Sequence, residues 1–259
     1  MRMGNPAVRR VAKMASRGEL SGSGEQATYK GVYLKAALFA LVTIISAVAV
    51  EAIFWWAVAN GAFEVIVPII TATAIVSVVL VVMALVIAFV PSTVKFLGII
   101  YVVLEGALLG LFAALIDALV FPGLSIAAFI ATALVFVIAL AVNKFTQARV
   151  SSRFVRGLMV VVISLVLVEA IMGLLSLFGL FSFQQIWWLQ LLISVVCVIW
   201  ATVMIFWDLQ NIDYIVQTGA HKSYEWYFAF SLVTTLIYLY IEILELLVRL
   251  FALFANNRN

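Results

Sequence analysis

Residues 226–254 read WYFAFSLVTTLIYLYIEILELLVRLFALF. At 1.5 Å per residue this run is long enough to cross a hydrocarbon core of about 30 Å, yet it contains Glu242, Glu245 and Arg249. On a helix turning 100° per residue, Ser231, Thr235, Tyr238, Glu242, Glu245 and Arg249 fall within about 40° of one line. One polar stripe therefore runs along a helix made otherwise mainly of Leu, Ile, Val and Phe. An ionisable group costs roughly 2.5–3.5 kcal/mol at the centre of a span, so such a stripe faces a bundle interior or a water-filled path. Glu245 and Arg249 stand at i,i+4 and are expected to pair. Glu242 is left needing a partner or a proton.

The rest of the chain has the same apolar character. Its 259 residues are 67% hydrophobic and 10% charged, with a mean hydropathy of +1.25. Apolar runs of 18 or more residues recur, which predicts an all-α integral membrane protein with seven transmembrane helices. The spans are expected at about 36–59, 65–90, 97–120, 124–142, 158–181, 187–212 and 226–254. Domain organisation follows: a basic cytoplasmic N-terminal segment over 1–35, the seven-helix domain over 36–255, and a tail over 256–259. Asn60–Gly61 and Phe121–Pro122–Gly123 mark tight turns, and Pro68 is expected in the first turn of the second span. Gly106 and Gly110 have the spacing that lets two helices approach closely. The one cysteine, Cys197, lies in an apolar run and is expected to be a packed core residue.

Lys and Arg are distributed unevenly. Arg2, Arg9, Arg10, Lys13, Arg17, Lys30 and Lys35 precede the first span, Lys95 follows the second, Lys144, Arg149, Arg153 and Arg156 surround the loop after the fourth, and Lys222 precedes the seventh. With the N-terminus cytoplasmic, 13 basic residues lie inside and at most Arg258 outside, as the positive-inside rule requires. The same distribution turns the net charge of +3 toward anionic lipid instead of nucleic acid. No short h-region with a small-residue cleavage site is present, which fits a bacterial plasma membrane.

Acids outnumber bases within the spans: Glu51, Glu105, Glu169, Asp208, Glu242 and Glu245 face one base, Arg249. Ion pairing alone cannot neutralise that set, so the surplus carboxylates must be protonated, wetted or bound to cations. Glu51 and Glu105 belong to the candidate ion path, although Glu51 and Glu169, near helix ends, equally fit hydrogen-bonded neutral acids. No span contains a Lys for a Schiff base and no GxSxG occurs, so neither catalysis nor a resident cofactor is expected.

Several short runs carry a likeness. WDLQNI at 207–212, GAHKSYEW at 219–226, YIEIL at 240–244, LEG at 104–106 and GNP at 4–6 resemble the Bax inhibitor family of transmembrane proteins, in its bacterial YccA-like branch. The resemblance implies a seven-helix bundle with the last helix central and a pH-sensitive calcium leak. It further implies that two acids on the last two helices share a proton and sense pH. Matched by motif these are Asp208 and Glu242, with Asp213 competing for the first place; the same two acids would hold calcium transiently as it passes. The family has Asp where Glu242 stands, and its latching arginine on the second helix has no counterpart in Val65–Val90.

Helix arithmetic alone does not bring Asp208 and Glu242 together. Two straight helices meeting at Thr218–Gly219 would put them ~15 Å and ~35 Å from the turn at 1.5 Å per residue. Their meeting requires part of Asp213–Tyr227 to bend or lie along the interface, where Glu225 and Trp226 are expected. The rival to a calcium or proton leak is a non-transporting regulator that binds another integral membrane protein, such as a protease. Gly106, Gly110 and the basic tail would be its contact surfaces.

Overall fold

The computed structural model describes residues 25–146, 149–178 and 187–256. Among them are seven α-helices: α1 (Tyr29–Ala59), α2 (Phe63–Phe89), α3 (Val94–Leu119), α4 (Leu124–Thr146), α5 (Ser152–Leu177), α6 (Trp187–Gln217) and α7 (Tyr224–Asn256). A 3-10 turn, Pro91–Thr93, leads into α3. No strand occurs among the described residues; extended pairing is confined to one bridge between Gln26 and His221. Helices α1 to α6 include stretches long and apolar enough to cross a membrane. In such an environment each segment must satisfy its own backbone hydrogen bonds, so apolar runs become helices. The seventh, α7, has 33 residues and carries Glu225, Glu242, Glu245 and Arg249.

Most helices outrun the apolar stretches that mark them. The first begins at Tyr29 and not at Ala36, with Thr28 as its N-cap; the Thr28 hydroxyl accepts from the Gly31 N–H at 3.0 Å. Polar residues at a span end continue the backbone ladder although they end the hydropathy signal. Lys30 and Lys35 thus belong to α1. Arg2, Arg9, Arg10, Lys13 and Arg17, the GNP run, the turn at 182–185 and Arg258 lie outside the described residues. Pro68 stands one turn deeper than expected, because α2 starts at Phe63.

The described residues form two compact units, one within Met1–Pro122 and Gln210–Thr234, the other within Gly123–Leu209 and Thr235–Asn259. In the first, α1 packs along α3. A Cβ on Gly106 would strike the Thr43 carbonyl oxygen, and one on Gly110 would lie 2.7 Å from the Ala47 carbonyl carbon. Both glycines are therefore used inside the chain, against the backbone of α1, and are not free to receive a partner protein. The Ser46 hydroxyl donates to the Val103 carbonyl at 2.6 Å across the same seam. Near the α6–α7 turn, Phe39 packs edge-on to Trp226 and Phe230, each at 5.8 Å, and Tyr101 to Phe230 at 5.1 Å.

In the second unit α6 buries Ile193, Cys197, Ala201, Ile205 and Leu209, a stripe with i,i+4 spacing. Cys197 is a core residue, as expected. Large apolar side chains of α4 and α5 stay exposed, among them Phe129, Val137, Val160 and Leu167. Such faces suit contact with lipid tails.

Candidate functional site

In the second unit the polar face of α7 gathers side chains from three helices. Asp208, on α6, is 2% exposed, and its Oδ2 accepts from the Thr235 hydroxyl at 2.6 Å. One turn beyond Thr235 comes Tyr238, within hydrogen-bonding reach of Glu242 and beside Cys197. Charged neighbours of Glu242 are Glu245, Glu169 and Arg249.

Arg249 is the hub of the far end. Its Nη2 donates to Glu245 Oε2 at 3.0 Å and to Glu169 Oε1 at 3.3 Å. Its Nη1 donates to Ser194 Oγ at 2.6 Å and to the Gln190 carbonyl. The i,i+4 pair with Glu245 is as expected. Glu169 reaches this cluster from α5. One guanidinium thus serves two carboxylates while Glu242 stands near all three, so the surplus of acids over bases read within the spans recurs in this cluster.

Of Asp213–Tyr227, expected to bend or to lie along the interface, residues 218–223 are the part outside the two helices. Helix α6 continues through Asp213 to Gln217, and Gly219, at φ 65°, makes the turn. The left-handed conformation there is available to Gly at little cost. Tyr224 then opens α7. An uninterrupted hairpin pairs residues equally far from the turn, which is why Asp208 meets Thr235. Glu242 lies seven residues further on, about 10 Å along the axis. Asp213, the competitor for the first acid position, instead faces Tyr29 and Tyr33 of α1, with Tyr29 hydrogen-bonded to it. Elsewhere in the first unit Glu51 lies near Asp117 and Trp55, and Glu105 Oε1 accepts from the Tyr101 hydroxyl at 3.2 Å. Among the described residues no three His, Cys, Asp or Glu side chains come together in a way that could hold a metal ion.

Glu225, expected at the interface, is 1% exposed. Its Oε1 accepts from the Thr28 N–H at 2.8 Å and the Thr28 hydroxyl at 3.1 Å, and its Oε2 pairs with Lys35. Lys35 also lies 5.3 Å from the centre of a Trp226 ring, a cation–π distance. Burial works to raise the Glu225 pKa, but Lys35 and Thr28 outweigh it and hold the carboxyl below the usual range. Beside it, Lys222 pairs with Glu25; this pairing draws the Glu25 carboxyl down and pushes the Lys222 amine up. Backbone bonds from Ala27 N to Ala220 O at 2.7 Å and from Lys222 N to Glu25 O at 2.8 Å complete the clasp. The residues before α1 are thereby tied to the α6–α7 turn.

The clasp, the Asp208–Thr235 bond and the Arg249 partners Glu169 and Ser194 were beyond sequence reasoning. The signal available for Arg249 was that one in-span base must serve more than one acid.

Six helices long and apolar enough to cross a membrane, followed by a helix that carries acids and one arginine, define a multi-pass membrane protein. The family described as Bax inhibitor 1 like matches residues 5–252, and the chain belongs to that family. No curated protein matches it.

Proposed function

We propose that this chain is a pH-sensitive calcium or cation leak of a bacterial plasma membrane, in the YccA-like branch of its family. In this reading α7 is the seventh and central span, the N-terminus is cytoplasmic, and protonation of Asp208 and Glu242 sets the opening. The observation that carries it is the polar face of α7, where Arg249 pairs with Glu169 and Glu245 and Glu242 lies within reach of their charges.

Carboxylate oxygens suit a hard cation such as calcium. Ionised, the surplus acid gives a path that attracts cations; protonated, it loses that attraction. Neighbouring acids cannot all ionise cheaply, so they titrate as a set. Asp208 accepts a hydrogen bond from the Thr235 hydroxyl. Protonation would add an O–H donor to that carboxyl beside its remaining acceptor oxygen and so change the hydrogen bonding it offers between α6 and α7. Asp208 therefore couples proton binding to the pairing of these two helices. The uneven distribution of Lys and Arg supports the orientation. Calcium is cargo here, and the reading needs neither catalysis nor a resident cofactor.

The test is calcium entry into liposomes holding the full-length protein, followed from acid to neutral pH. Flux above that of protein-free liposomes, with a pH profile moved by Asp208→Asn, is expected. No flux together with co-purification of a stoichiometric membrane protein would favour the regulator instead. Such a partner could not use Gly106 and Gly110, which α1 covers.

A further inference from the structure

Glu105 takes part in none of the contacts described for the acids of α7. It lies near the middle of α3 (Val94–Leu119), within the first unit. One carboxylate oxygen accepts from the neutral Tyr101 hydroxyl at 3.2 Å. The other, Oε2, is buried without a hydrogen-bond partner. Nearby polar groups are already engaged: the Ser46 hydroxyl donates to the Val103 carbonyl, and the Thr43 hydroxyl donates to the Phe39 carbonyl. Tyr101 itself packs against Phe230 in the aromatic cluster with Phe39 and Trp226. The influences acting on the Glu105 carboxyl are burial and Tyr101, and no charged group appears among them.

Glu225, in the same unit, shows how this fold treats an acid that stays ionised. It receives a backbone N–H, a hydroxyl and an ammonium, and Gly31 leaves room for its carboxylate. Glu105 has no such cradle. An ionised carboxylate there would be a desolvated charge facing one neutral donor, whereas a bound proton removes the charge.

We propose that Glu105 is a proton-binding site of its own, separate from the α7 acids, and that it rests as a neutral carboxylic acid open to hydrophobic carbodiimides. Such reagents need the protonated acid. The carboxyl proton goes to a carbodiimide nitrogen, the carboxyl oxygen bonds the central carbon, and acyl migration to nitrogen leaves a stable N-acylurea with no leaving group. The site deepens the proposed leak by adding a second proton-responsive position, and the labelling does not depend on flux.

The test uses dicyclohexylcarbodiimide on the full-length protein in liposomes, with the modified residue located by mass spectrometry. The adduct is expected on Glu105 at neutral pH, absent in Glu105→Gln, retained in Asp208→Asn with Glu242→Gln, and lost as pH rises. Tyr101→Phe, which leaves the acid in place, should carry labelling to higher pH, because the hydroxyl favours the charged form. Failure of Glu105 to label at neutral pH, or loss of its label in the Asp208→Asn, Glu242→Gln variant, would overturn the proposal. Labelled Glu105 in a protein that passes no calcium would support the site and sink the leak.

Discussion

Gly31 gives the sharpest stability prediction, because its effect should change sign with the residue opposite. A Cβ at position 31 would fall on both oxygens and the terminal carbon of Glu225. That carboxylate is held by Thr28 and Lys35 and cannot swing aside without breaking those bonds. Overpacking of this kind costs about 1–3 kcal/mol, so Gly31→Ala should destabilise the protein. In a chain of this size that corresponds to a melting temperature lower by about 2–12 °C. With Glu225→Ala and Lys35→Met already in place, the clash is gone and no charge is left stranded. Gly31→Ala should then stabilise by up to about 1 kcal/mol through the helix preference of Ala over Gly. Thermal unfolding of the four detergent-solubilised proteins measures the difference. An equal loss from Gly31→Ala in both backgrounds would refute the clasp geometry.

Three further outcomes are expected. Gly110→Ala should push α1 from α3 and lower the melting temperature, whereas Gly173→Ala, with nothing within 4 Å, should not. Arg249→Gln strips Glu169 and Glu245 of their shared base, and thermal unfolding should show a loss of about 1–3 kcal/mol that a further Glu169→Gln, Glu245→Gln change largely recovers. The Glu225 carboxyl is held below its usual range, so its contribution is complete above the ordinary carboxylate pKa and lost as pH falls through the lowered value. Hydrogen exchange over residues 25–35 should therefore stay slow from neutral pH down to the ordinary carboxylate range and accelerate only below it, once intrinsic exchange rates are allowed for.

Helices were legible in the sequence because lipid leaves an apolar run little choice but a helix. Their ends were less so: Tyr29–Lys35 and Asp213–Gln217 continue helices past the last apolar residue, and hydropathy stops where charge begins. The Arg249–Glu245 pair could be read from helix periodicity, since both lie on one element. Glu169 and Ser194 could not, because packing of separate helices brings them to Arg249. The same holds for Glu225, whose partners Thr28 and Lys35 are 197 and 190 residues away in the chain. Gly106 and Gly110 announced a close helix contact; that α1 supplies it depended on the fold. The expected bend before α7 came from requiring Asp208 to touch Glu242, whereas hairpin symmetry gives Asp208 the Thr235 hydroxyl.

The central claim is that the acids of the α7 face make a proton-controlled cation path, and Glu242 is the one to change. Calcium flux through full-length protein in liposomes, measured against pH for wild type and Glu242→Gln, tests it directly. A pH-dependent leak is expected in the wild type and a flattened profile in the variant. A wild type indistinguishable from empty liposomes, or a variant with the wild-type profile, would contradict it.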